Sequence, residues 1–199
     1  NHPIAQALLN SVDFPIAAPS ANKSGHVSPT RASHVLEDFN NEVGMILDGG
    51  SVQHGLESTV LNASSERLEL LRVGVISIQE ITKKVGSITL SKPSDSSQVL
   101  SPGQLISHYA PRATLRLEAS EAKDGEALIA FGRAVASQGT VINLSPDGDL
   151  IEAAANLYTV LRGIDRIGAR NVAVMPIPET GIGVAINDRL RRAAAPRTN

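Results

Sequence analysis

The sequence predicts an α/β protein in two units, the second of which contains a small, parallel, Rossmann-like sheet. Three observations support this. Hydrophobic residues make up 42% of the 199 residues, enough for a buried core. After residue 112, short apolar segments alternate with helical patterns, as expected for a parallel sheet. A serine- and proline-rich linker, residues 90–111, separates this second unit, residues 112–199, from the first unit, residues 1–89.

Capping residues and apolar spacing predict three helices in the first unit. One begins at Asn1, with Pro3 in its first turn. The next is capped by Ser28 or Thr30. Its apolar side is expected to consist of Val35, Leu36 and Phe39. The third helix ends at Gly86.

Apolar runs bounded by turn residues predict the strands of the first unit. Residues 15–18 are expected to form a short buried strand. Residues 44–50 are expected to form a strand that ends in an Asp-Gly-Gly turn. Residues 59–62 and 68–73 should pair as a hairpin across a polar turn.

In the second unit, four strands are predicted at residues 113–119, 127–131, 140–145 and 171–177. The clearest helix covers residues 149–168, and a final helix covers residues 183–194. One apolar stripe of the long helix is expected to contain Leu150, Ile151, Ala154, Leu157, Tyr158, Leu161 and Ile164.

Composition excludes several classes of function. Aromatic residues make up only 3% of the chain and the net charge is −2, which argues against a protein that binds nucleic acid by stacking or bulk charge. The absence of cysteine excludes disulfides and thiolate chemistry. No metal-ligand spacing relates His2, His26, His34, His54 and His108, so no protein-built metal site is predicted. Nothing resembles a signal peptide or membrane span, and a soluble cytoplasmic protein is expected.

The segment APSANKSGHVSPT, residues 18–30, is the first candidate for chemistry. Its hydroxyl and amide side chains include Ser20, Asn22 and Ser28, with Gly25 allowing close approach of the backbone. Such donors after a strand suit an anionic ligand such as a phosphate chain. The alternative is an ordinary polar turn that caps the next helix, and composition alone favours the turn.

Three other segments leave similar alternatives open. Ser58 could bind a substrate, or residues 47–61 could be a plain hairpin entry with Glu57 on the surface. Arg72 ends an apolar strand, where an arginine either reaches solvent or contacts an anion. Residues 176–188 could form a phosphate-binding turn, or could need glycine only to turn from strand to helix.

Taken together, these segments resemble a known family. PIAAPSANKSGHVSPT, LDGG…GLESTV and LLRVGVIS resemble, in order and spacing, the second half of the YrdC-like catalytic domain of threonylcarbamoyl-AMP synthases. SPGQLISHYAP resembles the interdomain linker of the long, two-domain form, and NLYTVLRGIDRIG and IPETGIGVAINDRLRRAA resemble its C-terminal domain. The resemblance implies that the chain lacks the first half of the YrdC-like domain.

The resemblance also implies a reaction: L-threonine, bicarbonate or CO2, and ATP give threonylcarbamoyl-adenylate and pyrophosphate, for tRNA threonylcarbamoyladenosine biosynthesis. Mg²⁺ would be bound through ATP, and the product would pass to the tRNA threonylcarbamoyl transferase machinery. No residue is implied as a nucleophile. The implied ATP-binding residues are Ser20, Asn22, Ser28, Arg72, His108 and Tyr109. The implied threonine-binding residues are Ala18 and Ser58.

The sequence departs from the family pattern in two places, and both bear on whether the chain alone is active. The basic Lys-x-Arg cluster of the first half is absent from this sequence, and the linker has QLIS where relatives often carry basic or aromatic residues. The chain alone is therefore predicted to be inactive and to bind ATP weakly. The alternatives are a double-stranded RNA-binding module and a non-synthase paralogue, and contact with tRNA is left open.

Overall fold

Two β-sheets organise the part of the chain that the computed structural model describes, which is residues 2–23, 25–91, 110–133, 137 and 139–196. In the first sheet, β1 (Val60–Asn62) pairs antiparallel with β2 (Glu69–Arg72), which pairs parallel with β3 (Thr89–Leu90). The second sheet is parallel throughout, in the order β4-β7-β5-β6. Its strands are β4 (Thr114–Arg116), β5 (Ala127–Ala130), β6 (Val141–Asn143) and β7 (Asn171–Val174).

The helices lie where local signals favour them. They are α1 (Pro3–Asn10), α2 (Ala32–Phe39), α3 (Ile78–Val85), α4 (Leu150–Arg166) and α5 (Gly183–Ala194). A reciprocal capping box between Ser77 and Glu80 begins α3, and Gly86 with φ 84° ends it. Asp149 caps α4 by accepting hydrogen bonds from the backbone N–H groups of Ile151 and Glu152.

The main core lies between the parallel sheet and helices α4 and α5. Leu115, Ile129 and Val174 from the strands pack with Leu157, Leu161 and Ile186 from the helices. Val27 and Leu56, from the first unit, belong to the same buried cluster. The first unit therefore packs onto the second by contributing apolar side chains to its core.

The structure confirms the mixed α/β class, the parallel sheet and most predicted elements. The hairpin of β1 and β2 lies within the predicted segments, and α1, α3, α4 and α5 occupy the predicted regions. The boundaries assigned at residues 89/90 and 111/112 remain a prediction. Most of the linker lies outside the described residues.

Several local predictions are wrong. Residues 15–18 and 44–50 form no strand and are mostly exposed, with Met45 79% exposed. Neither segment has a strand neighbour in the described part of the chain, so neither can complete a hydrogen-bonded ladder. Residues 89–90, expected in or beside the linker, form β3 instead.

Helix starts and faces also differ in detail. The position before α1 is His2 rather than Asn1, and the position before α2 is Arg31 rather than Ser28 or Thr30. The buried residue of α2 is His34, because this side faces α4; Leu36 is exposed. On α4, Ile151 is 61% exposed because it lies beside the apolar stripe, to which Leu150 and Ala154 belong.

Candidate functional site

Two glycines set the backbone around Glu57 and Ser58. A Cβ on Gly55 would lie 2.2 Å from the carbonyl oxygen of Ala154 in α4, so only glycine lets this loop touch the helix backbone. A Cβ on Gly74 would lie 2.3 Å from the backbone nitrogen of Thr59. The segment that carries Glu57 and Ser58 is thus fixed between α4 on one side and the turn after β2 on the other.

Arg72, at the end of β2, contacts Ser58 directly. Its Nε donates to the Ser58 carbonyl oxygen at 3.0 Å, and one Nη donates to Ser58 Oγ at 3.2 Å. The side chain of the half-buried Arg72 is therefore held against the segment that leads into β1. The predicted ATP-binding arginine and the predicted threonine-binding serine lie side by side.

Ser28 joins this pair through Glu57. The buried Ser28 hydroxyl donates to Glu57 Oε1 at 2.8 Å, and the hydroxyl of Tyr158 in α4 donates to Glu57 Oε2 at 2.8 Å. The structure thus connects three separate segments, because Ser28 bonds to Glu57 and Ser58, the next residue along the chain, bonds to Arg72. It also rules out the alternative that placed Glu57 on the surface, since the side chain is only 19% exposed.

Arg189 in α5 also contacts Glu57, and no motif in the sequence singled it out. Its side chain is 0% exposed. Its Nε donates to Glu57 Oε2 at 3.0 Å, its Nη2 donates to the carbonyl oxygen of Val73 at 2.9 Å, and its Nη1 pairs with Asp188 at 2.6 Å. The sequence does carry a signal for this residue. Arg189 lies among the buried apolar residues of α5, which are Ala185, Ile186, Leu190 and Ala193. An arginine in such surroundings requires a buried partner.

The electrostatics of Glu57 follow from these contacts. Burial alone would raise the pKa of this carboxyl, but the charge of Arg189 and the hydroxyls of Ser28 and Tyr158 outweigh it, so the pKa of Glu57 is lowered. Glu57 is therefore an ionised carboxylate whose charge is neutralised from α5. We call Ser28, Glu57, Tyr158 and Arg189 the Glu57 cluster.

The polar loop before Ser28 is more open. Ala18 and Ser20 are exposed. The Asn22 side-chain nitrogen donates to the carbonyl oxygens of Lys23 at 2.9 Å and His26 at 3.2 Å, so it organises the turn. Its Oδ1 atom is buried without a hydrogen-bond partner. The predicted ATP contacts of Ser20 and Asn22 remain predictions.

The other predicted positions add little to the cluster. His108 and Tyr109 lie outside the described residues. In the proposed phosphate turn, a Cβ on Gly183 would lie 2.0 Å from the carbonyl oxygen of Pro178, so this glycine has a packing role.

Among the described residues, no group of three or more histidine, aspartate or glutamate side chains could hold a metal ion. No helix in the same part of the chain is long and apolar enough to span a membrane.

Two family profiles match the chain. The profile described as "Threonylcarbamoyl-AMP synthase, C-terminal domain" matches residues 64–195. The Sua5/YciO/YrdC profile, described as "Telomere recombination", matches residues 1–74. Together they cover both predicted units.

Curated relatives and solved structures agree with these profiles. The threonylcarbamoyl-AMP synthase of Bacillus subtilis is 36% identical, with 99% of this chain and 62% of the relative covered. That of Pyrococcus abyssi is 35% identical, with 98% and 62% covered. The crystal structure titled as P. abyssi Sua5 complexed with L-threonine matches with a TM-score of 0.85 and 34% identity, over 97% of this chain and 62% of that one. The chain thus spans just under two thirds of these relatives' length.

Proposed function

Because this chain belongs to the threonylcarbamoyl-AMP synthase family, we propose that it forms part of an enzyme that makes threonylcarbamoyl-adenylate. The substrates would be L-threonine, bicarbonate or CO2, and ATP, and the other product would be pyrophosphate. The adenylate would then serve as the activated donor for modification of a tRNA adenosine.

The chemistry needs no nucleophile from the protein. The threonine amine adds to CO2 and loses a proton, which gives a carbamate. A carbamate oxygen then attacks the α-phosphorus of ATP, and the bond from that phosphorus to the bridging oxygen breaks as pyrophosphate leaves. The protein's contribution would be to hold the two reactants in line and to stabilise the charge that develops on the leaving phosphates.

The convergence of Ser28, Ser58 and Arg72 is the observation that carries this proposal. In the chain these residues lie 14 or more positions apart, yet Arg72 touches Ser58, and Ser28 bonds to the residue preceding Ser58. A cation beside small hydroxyl donors suits a triphosphate next to an amino acid. The shared fold with a protein whose structure is titled as a threonine complex supports the same reading.

Mg²⁺ would be coordinated mainly by the phosphates of ATP, where it would neutralise charge on the leaving group. The carboxylate of the candidate site, Glu57, already accepts hydrogen bonds from Ser28, Tyr158 and Arg189. It is therefore a poor metal ligand, and the residues of the Glu57 cluster do not fit a metal site built by the protein alone.

A chimera tests the proposal. The region of the Bacillus subtilis relative that aligns with this chain is replaced by residues 1–199, and the protein is incubated with L-threonine, labelled bicarbonate and ATP with Mg²⁺. We expect threonylcarbamoyl-adenylate and pyrophosphate in equal amounts. The chain on its own is the matched control and should release no pyrophosphate. A folded chimera that makes no adenylate would contradict the proposal.

A further inference from the structure

The Glu57 cluster joins the two units of the chain at the candidate site. Ser28 and Glu57 belong to the first unit, whereas Tyr158 and Arg189 belong to α4 and α5 of the second. The hydroxyl of Tyr158 and the Nε of Arg189 both donate to Glu57 Oε2, at 2.8 and 3.0 Å. The second unit therefore supplies donors that hold a residue adjacent to Ser58.

Arg189 holds a second point of the candidate site as well. Its Nη2 donates to the carbonyl oxygen of Val73 at 2.9 Å, immediately after Arg72. One buried guanidinium thus fixes the neighbours of both Ser58 and Arg72. Because the guanidinium is planar, these two bonds set the separation and relative angle of the two backbone segments.

The charges of Glu57 and Arg189 support the same conclusion. A carboxylate beside a site for phosphates would repel the ligand unless its charge were balanced. The cation that balances Glu57 comes from α5, where Arg189 is wholly buried. Its burial fixes the pair in one geometry, and screening by solvent is small.

We propose, on the basis of the proposed function, that Arg189 and Tyr158 are positioning residues for the substrate site. They act through Glu57 and Val73 on Ser28, Ser58 and Arg72, and they do not touch the reacting atoms. The C-terminal unit would then be required for substrate binding even where the linker is not involved.

Two neighbouring hydroxyls on α4 provide a matched test. Tyr158→Phe removes the donor to Glu57 and keeps the ring. Thr159→Val, the control, removes a hydroxyl that lies 3.2 Å from Thr30 Oγ1 across the same interface but does not reach Glu57. Arg189→Lys keeps the positive charge and loses the planar guanidinium that donates to both Glu57 and Val73.

Each variant is made in the chimera, the folded proteins are titrated with ATP-Mg²⁺ and with L-threonine, and binding is followed by NMR at the amides of Ser58 and Val73. We expect Tyr158→Phe to weaken binding by about threefold to tenfold and Arg189→Lys by about tenfold or more, while Thr159→Val binds like the unsubstituted chimera. A purely structural role would lower thermal stability and leave the affinity of the folded protein unchanged.

The outcomes separate the two proposals. If the unsubstituted chimera binds both ligands and Tyr158→Phe matches it, the positioning role is wrong and the proposed function stands. Should Arg189→Lys fail to fold, Tyr158→Phe decides the question alone. If the unsubstituted chimera binds neither ligand at millimolar concentration and makes no adenylate, the proposed function is wrong, and the positioning role falls with it.

Discussion

At the scale of residues, the two charged side chains of the candidate site have different partners. Glu57 is neutralised by Arg189 from α5, whereas Arg72 is oriented by two hydrogen bonds to Ser58. We propose that Arg72, held in this orientation, contacts a phosphate of ATP.

Replacement of Arg72 by alanine in the chimera, which restores the intact protein, tests that role. Hydrogen bonds to charged groups contribute about 1.5–3 kcal/mol, so we expect ATP affinity to fall by about tenfold to a hundredfold. The thermal midpoint should change little, since the side chain is only half-buried. Calorimetric titration with ATP-Mg²⁺ measures the change.

Arg67→Ala is the control for this experiment. Arg67 is exposed and precedes the same strand, so its removal changes the net charge equally without touching Ser58. If Arg72→Ala and Arg67→Ala bind ATP with the same affinity, Arg72 has no specific contact with the nucleotide.

The residues of the site differ in how far the sequence predicts them. Ser28, Ser58 and Arg72 follow from the family resemblance, and the structure brings them together. A surface position of Glu57 stays open as an alternative in the sequence because its partners, Tyr158 and Arg189, lie more than 100 positions away in the chain. Such a contact depends on how the two units pack, which local pattern does not encode.

At the scale of elements, local signals account for the helices better than for the strands. The capping box of α3 and the N-cap of α4 involve residues two or three positions apart, so the sequence alone specifies them. A strand needs a hydrogen-bonding partner strand from elsewhere in the chain. Residues 15–18 and 44–50 have strand-like composition, yet they form no ladder in the described part of the chain.

Helix α2 contains a buried histidine that makes stability depend on pH. Burial, with Arg162 and Arg31 nearby, lowers the pKa of His34 to about 4 from 6.5. Its Nδ1 accepts a hydrogen bond from the backbone N–H of Thr30, which a neutral imidazole can do. Between these pKa values the unfolded chain takes up a proton that the folded chain does not.

Stability should therefore fall as the pH is lowered from about 6.5 to 4. The contribution of this group is about 3 kcal/mol at pH 4, since one pKa unit corresponds to about 1.4 kcal/mol. Urea unfolding at a series of pH values measures it in wild type and in His34→Asn, whose amide oxygen can still accept from Thr30. Parallel pH profiles for the two proteins would show that His34 is not the titrating group.

At the scale of the whole molecule, the two units are coupled by a shared core and by charge. Val27 and Leu56 pack into the core beside α4, and Arg162 of α4 pairs with Asp38 of α2 at 2.7 Å. The alternation of strands and helices predicts the parallel sheet, but the strand order β4-β7-β5-β6 depends on crossover connections that the pattern leaves open.

The central claim is that the substrates bind where Ser28, Ser58 and Arg72 meet. A crystal of the chimera grown with L-threonine and a non-hydrolysable ATP analogue tests this most directly. We expect phosphate oxygens within hydrogen-bond distance of Arg72, with threonine against Ser58. Nucleotide bound elsewhere, for instance at the carboxyl ends of β5 and β7, with Arg72 and Ser58 untouched, would contradict it.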